Sequence, residues 1–195
     1  MLDHLIQLDR HLFYWINHDL TNPFFDAVMP WARTPRNWIP LFILISAYCL
    51  WKYRAKGIII IAFIGISAGV ADFTSASIVK PLVHRLRPCA DPVTAPTDIE
   101  RVSACGSGYS FPSTHATDYF AVAIFMVLIF RKYWHWIWFW GIFWAGLISF
   151  AQVYVGVHYP IDVTCGAIYG SFVGWFIYWV FRKLQRRYPE WMPAV

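Results

Sequence analysis

The chain has 195 residues, of which 58% are hydrophobic, 20% aromatic and only 14% charged. Soluble domains carry about 25% charged residues, so this composition argues against a soluble helical protein and for one that lives in a bilayer. The formal net charge of +5 does not indicate nucleic-acid binding, because the cations cluster at the ends of apolar segments, where they set membrane orientation.

In chain order, Leu5, Leu8, Leu12 and Ile16 recur at helical spacing, with Tyr14 and Trp15 nearby. Asp3, Asp9 and Arg10 interrupt any signal-peptide core. The pattern predicts an amphipathic helix lying in the membrane interface. Asp19, Asp26 and Pro30 then disfavour a full span and favour a short re-entrant or surface helix. Five apolar runs follow, at residues 38–53, 57–79, 114–130, 134–155 and 163–181. They approach or reach the ~17–25 residues needed to cross a bilayer, the first being marginal. The expected fold class is an all-α integral membrane protein: five transmembrane helices in a compact bundle, or six if the N-terminal region also crosses. It reads as one domain over 1–195, with an interfacial segment at 1–36, the bundle at 37–182 and a cytoplasmic tail at 183–195.

Lys52, Arg54 and Lys56 follow the first run, Arg131 and Lys132 the third, and Arg182, Lys183, Arg186 and Arg187 the fifth. By the positive-inside rule these ends are cytoplasmic. The loops at 80–112 and 155–162 then lie together on the outer face. Cys89 and Cys105 bracket the first of these loops, where an oxidising compartment permits a disulfide; two free thiols are the alternative. Cys49 and Cys165 fall in apolar segments and read as packing residues. Gly166, Gly170 and Gly174 form a small-residue stripe for close helix approach.

Three stretches in the outer loops carry chemistry. Lys80 and Arg87, followed by Pro88, place an ammonium and a guanidinium at one membrane boundary, which suits a phosphate or simple interfacial anchoring. Ser113 is a plausible N-cap for a helix whose free N–H groups would hold an anion, and His115 in the first turn can donate a proton. His158 and Asp162 flank Pro160, so the carboxylate can accept from Nδ1 and leave Nε2 free to attack phosphorus; a structural pair is the alternative. Asp72 and Asp118 lie inside apolar runs and are expected to face the bundle interior. No Cys/His spacing resembles a zinc site.

These residues resemble the membrane branch of the type 2 phosphatidic acid phosphatases, relatives of the vanadium haloperoxidases. That family's pattern is Lys, six residues, Arg-Pro; then Pro-Ser-Gly-His; then Ser-Arg, five residues, His, three residues, Asp. Lys80, Arg87 and Pro88 fit the first part; Pro112, Ser113 and His115 the second; His158 and Asp162 the third. Thr114 stands where the family usually has Gly, and Ala151 and Gln152 stand in place of Ser-Arg. The resemblance covers about residues 57–181. It implies catalysis without a metal or other cofactor: His158 as nucleophile oriented by Asp162, and His115 as general acid and then base. Lys80, Arg87, Ser113, the backbone near Thr114 and His115, and Gln152 would hold the phosphoryl oxygens. Gln152 brings no charge, so either its amide suffices, another cation such as Arg85 or Arg101 substitutes, or catalysis is impaired.

The expected protein is therefore a multi-pass lipid phosphatase, in a bacterial host of the inner membrane, with its site on the periplasmic face. Its partners are the bilayer and a lipid phosphate or diphosphate. Undecaprenyl diphosphate, phosphatidylglycerol phosphate, phosphatidic acid and lipid A phosphates are the candidates. No nucleic acid or obligatory protein partner is indicated. Two rival readings are phosphotransfer to a lipid or sugar hydroxyl, and a catalytically weak phospholipid-binding or transport protein.

Overall fold

The computed structural model describes residues 2–99, 101–102 and 105–195. Among these residues eight α-helices follow one another: α1 (Leu2–Tyr14), α2 (Pro23–Ala32), α3 (Ile39–Tyr53), α4 (Gly57–Phe73), α5 (Lys80–Val83), α6 (Thr114–Phe130), α7 (Ile137–Tyr154) and α8 (Pro160–Arg187). Wide π-helical turns extend α1 over Trp15–Asp19 and join α4 to α5 over Thr74–Val79. No strand occurs among the described residues.

Each of the five expected apolar runs contains a helix, the fourth beginning at Ile137 rather than Trp134. Ile137–Tyr154 and Pro160–Arg187 are each long and apolar enough to cross a membrane, as is the helical stretch Pro35–Thr97. That stretch breaks at Arg54–Lys56 into the neighbours α3 and α4, and Thr114–Phe130 is a shorter apolar helix. Large apolar side chains face outward, including Trp138 at 57% and Phe172 at 59% exposure. Water would not tolerate so continuous an apolar surface; lipid does.

α6 is the central helix, packing on α4, α7 and most extensively on α8. The glycine stripe is the reason. A Cβ on Gly170 would sit 2.1 Å from the Thr117 carbonyl oxygen, and one on Gly174 would sit 2.3 Å from that of Ala121. Only hydrogen fits there, so the two backbones touch.

The N-terminal segment departs from a purely interfacial helix. The Leu5, Leu8 and Leu12 stripe does face outward, whereas Asp9, Phe13 and Asn17 are buried against the bundle. Phe13 packs with Val153 and Tyr159. Asn17 donates to the carbonyls of Ile99 and Tyr154, both at 3.0 Å. α2 is the short helix expected, with Asn22 capping Phe25 N at 2.9 Å. At the other end α8 continues past residue 181 to Arg187 and stops before Pro189, which cannot continue a helix. The remaining residues fold back rather than trail as a free tail, burying Met192 and Val195 in the main core. Arg182 secures them by donating to the Val195 carbonyl at 3.1 Å.

Gly170→Ala should destabilise the detergent-solubilised protein by about 1–3 kcal/mol through overpacking. Gly65→Ala, where an added Cβ meets nothing within 4 Å, should leave thermal unfolding unchanged or slightly raised.

Candidate active site

The end of α4 and α5 carries Lys80 to the rim of the bundle. His84 closes α5 in the left-handed region (φ 55°), packing edge-on to Tyr109. That turn reverses the chain and sends Arg85 and Arg87 back over the helix ends. A disulfide between Cys89 and Cys105, Cα–Cα 5.7 Å, ties the following loop. Ser110 N donates to the Arg85 carbonyl at 2.7 Å, and Ser113 N to that of Asp162 at 3.0 Å. These bonds draw the first stretch, the start of α6 and the start of α8 together.

Between them lies a cavity of about 580 Å³. Its mouth is lined by Lys80, Arg87, Thr114, His115, Gln152 and His158. Deeper, it passes Asp72 and Asp118 and reaches Phe42, Ala68 and Val122. At 1.5 Å per helical residue, the descent from His115 to Val122 spans about 10 Å. A polar mouth thus opens onto an apolar floor between α3, α4 and α6.

His158 is buried, and its partners fix its tautomer. Arg87 Nη1 lies 3.2 Å from Nε2. Guanidinium can only donate, so Nε2 accepts and Nδ1 holds the proton. Asp162 does not take that proton directly, because its Oδ2 is 3.7 Å from Nδ1. The Ser110 hydroxyl sits between them, 3.2 Å from Nδ1 and hydrogen-bonded to Asp162 Oδ2. Burial holds the His158 pKa down at about 4 against an ordinary 6.5, the Asp162 carboxylate opposing. The imidazole is therefore neutral at pH 7.

Asp162 is held in turn. It accepts from Tyr159 N at 2.9 Å and from Arg85 Nη1 at 2.7 Å. Arg85 also pairs with Asp9 of α1, whose other oxygen accepts from Ile161 N at 2.8 Å. Burial pushes the Asp9 carboxyl above its usual range, with Arg85 and the Ile161 N–H working against it. Arg87 is anchored by the carbonyls of Val157, Ser107 and Gly108.

Of the residues expected from sequence, Lys80, Arg87, Thr114, His115, Gln152 and His158 share the cavity wall. Ser113 and Asp162 are fully buried behind it. Ser113 caps α6 through Ala116 N at 3.4 Å, as its position predicts. Thr114 Oγ1, both Gln152 amide atoms and Asp118 Oδ1 are buried without a hydrogen-bond partner. Neither cation proposed to replace the missing arginine reaches the cavity. Arg85 is committed to Asp9 and Asp162, and Arg101 to Asp26, Asn17, Thr21 and Tyr154. Sequence reasoning missed Ser110, Asp9 and the cavity residue Arg33. A hydroxyl three residues before a cap and an acid on an amphipathic helix carry no signal of their own.

The chain belongs to the PAP2 superfamily, which matches it over residues 36–186. It is accordingly a membrane hydrolase of the lipid phosphatase type. It is 33% identical to a lipid A 4'-phosphatase of Bacteroides thetaiotaomicron, across 100% of this chain and 86% of that protein. A lipid A 4'-phosphatase of Porphyromonas gingivalis is 26% identical across 96% of this chain and 78% of its own length. The fold is that of the Bacillus subtilis transmembrane PAP2-type phosphatidylglycerolphosphate phosphatase: TM-score 0.69 at 19% identity, covering 94% of this chain and 89% of that one.

Asp9→Ala should orphan the Ile161 N–H and strip Arg85 of one carboxylate, lowering stability by about 1–3 kcal/mol. Phosphate release should fall with it, while Leu8→Ala on the outward face of α1 should change neither.

Proposed function

We propose that this protein removes a phosphate from membrane-embedded lipid phosphates through a phosphohistidine at His158, and that a lipid A phosphate is its substrate. The observation that carries the reading is the meeting of His158, His115, Lys80 and Arg87 in one cavity that descends into an apolar floor. The polar mouth takes the phosphate, and the floor takes lipid reaching in laterally between helices. Relatedness over the whole chain to two lipid A 4'-phosphatases supports the choice of substrate.

In the first step Arg87 exchanges its bond to Nε2 for a phosphoryl oxygen. Nε2 attacks phosphorus while the bond to the leaving oxygen breaks, and His115 protonates that oxygen. The positive charge gained by His158 is balanced through Ser110 by Asp162, as in triad logic. In the second step water attacks the phosphohistidine, His115 takes its proton, and the N–P bond breaks to release inorganic phosphate. Lys80, Arg87, the Thr114 hydroxyl and the N–H groups at the start of α6 neutralise the equatorial oxygens. Gln152 adds an uncharged amide donor. Ser113 serves from behind the wall by holding that helix end in place.

The cationic ends at Lys52–Lys56, Arg131–Lys132 and Arg182–Arg187 support an orientation with the opposite, catalytic end of the bundle outside the cytoplasm. In a bacterial host that is the periplasmic face of the inner membrane, with the C-terminus inside. The disulfide between Cys89 and Cys105 supports the same side. The whole chain forms one domain, its N-terminal segment clamped to the site rather than separate.

Phosphate release from lipid A, undecaprenyl diphosphate, phosphatidylglycerol phosphate and phosphatidic acid, measured with EDTA present, tests this reading. Release should be fastest with lipid A and should vanish in His158→Ala. Ser110→Ala should lower kcat by about 100-fold by freeing the imidazole. Release that stops on chelation, or persists in His158→Ala, would sink the mechanism. The pH profile is a second check. Neutral His158 is the active form, so its acid limb in kcat/KM should lie well below 6.5, towards 4, once the substrate's own second ionisation near ~6 is allowed for. A limb at or above 6.5 would contradict a buried neutral nucleophile.

A further inference from the structure

The Gln152 position leaves the site one cation short of the pattern this chain otherwise follows, and the cavity holds a cation that no motif predicts. Arg33 caps the C-terminus of α2 and lines the cavity with His158, Gln152 and Arg87. It precedes the segment that matches the superfamily, which begins at residue 36. Packing brings it there. Met29 and Ala32 of α2 are buried in one cluster with Ala151, Tyr154 and Val155, so the immediate neighbours of Arg33 and Gln152 share a core. Trp38 Nε1 donates to the Ala32 carbonyl at 2.7 Å and pins that helix end.

Arg33 is also unspent. Its Nε is buried without a hydrogen-bond partner, and among the described residues it makes no ion pair. Arg33 is half-buried, and a partly desolvated guanidinium without a counter-ion gains when an anion binds. By contrast Arg85 and Arg101 are locked in ion pairs outside it.

We propose that Arg33 binds the reacting phosphoryl group and supplies, from α2, the positive charge that Gln152 does not supply from α7. The inference rests on the phosphatase reading above. The fork of Arg33 reaches the equatorial oxygens from the wall of α2, and the Gln152 amide beside it donates without competing for the charge. Moving the cation from one helix to its packed neighbour keeps the count of positive groups around the transition state.

The test is a charge-relocation series: Arg33→Gln, Arg33→Lys, Gln152→Arg and the Arg33→Gln/Gln152→Arg double variant. Each is assayed for phosphate release from lipid A and for thermal stabilisation by orthovanadate, which mimics the pentacoordinate phosphoryl group. Arg33→Gln should remain folded, lose about 100- to 1,000-fold in kcat and lose its vanadate shift. Arg33→Lys should retain part of both, and the double variant should regain activity over Arg33→Gln. A wild-type rate in Arg33→Gln overturns the proposal. So does a loss that neither Arg33→Lys nor Gln152→Arg relieves, which marks a merely structural residue. A folded wild type that neither releases phosphate nor responds to vanadate defeats the phosphatase reading itself, a result separate from either of those.

Discussion

Everything at this site depends on keeping a line of charges buried at the membrane boundary. His158, Ser110, Asp162, Arg85 and Asp9 form one hydrogen-bonded chain, and Asp9, Ser110, His158 and Asp162 are almost wholly shielded from solvent. Leaving such a group unpaired is costly: removing one partner from a buried pair typically costs about 3–5 kcal/mol. Each member is therefore held by the next. His158 is tied through this chain to a carboxylate on the first helix, by way of an arginine in a loop.

That chain explains the architecture around it. α1 turns its polar face inward because Asp9 and Asn17 have partners there, and its leucines outward because lipid or interface can take them. α6 and α8 approach until their backbones touch, since Gly166, Gly170 and Gly174 place no side chain between them. Their closeness lets Ser113 N bond the Asp162 carbonyl, which sets the start of α6 beside His158. A bulkier α8 would separate the start of α6 from His158 without touching either.

Much of this was legible in the sequence. Five apolar runs became five apolar helices, because in a bilayer length and hydropathy leave a segment few alternatives. Lys80, Arg87, His115 and His158 were found because each sits near a helix end, whereas Thr114 and Gln152 entered only through the family resemblance. Three features were not legible. Asp162 was expected to hold His158 directly, but the imidazole lies too far for that, and a hydroxyl from a distant loop fills the gap. The expected tail at 183–195 carried no sign of what it packs on, yet apolar Met192 and Val195 join the main core. The replacement for the missing arginine was sought among cations in the outer loops. Those cations serve the fold, and the unspent one came from a helix capped far upstream. Such relations are tertiary: they depend on which helix lies against which, and no local pattern encodes them.

The central claim is that the phosphoryl group passes through His158. Rapid acid-free quenching of the enzyme with phosphorus-labelled lipid A, followed by peptide mapping, tests it most directly. The account predicts a label that is stable to base, lost in acid, and carried by the peptide containing His158. It also predicts that the label accumulates in His115→Ala if that variant still transfers, because water then lacks its base. Turnover at full rate with no labelled protein, or a label mapped to any other residue, would contradict it.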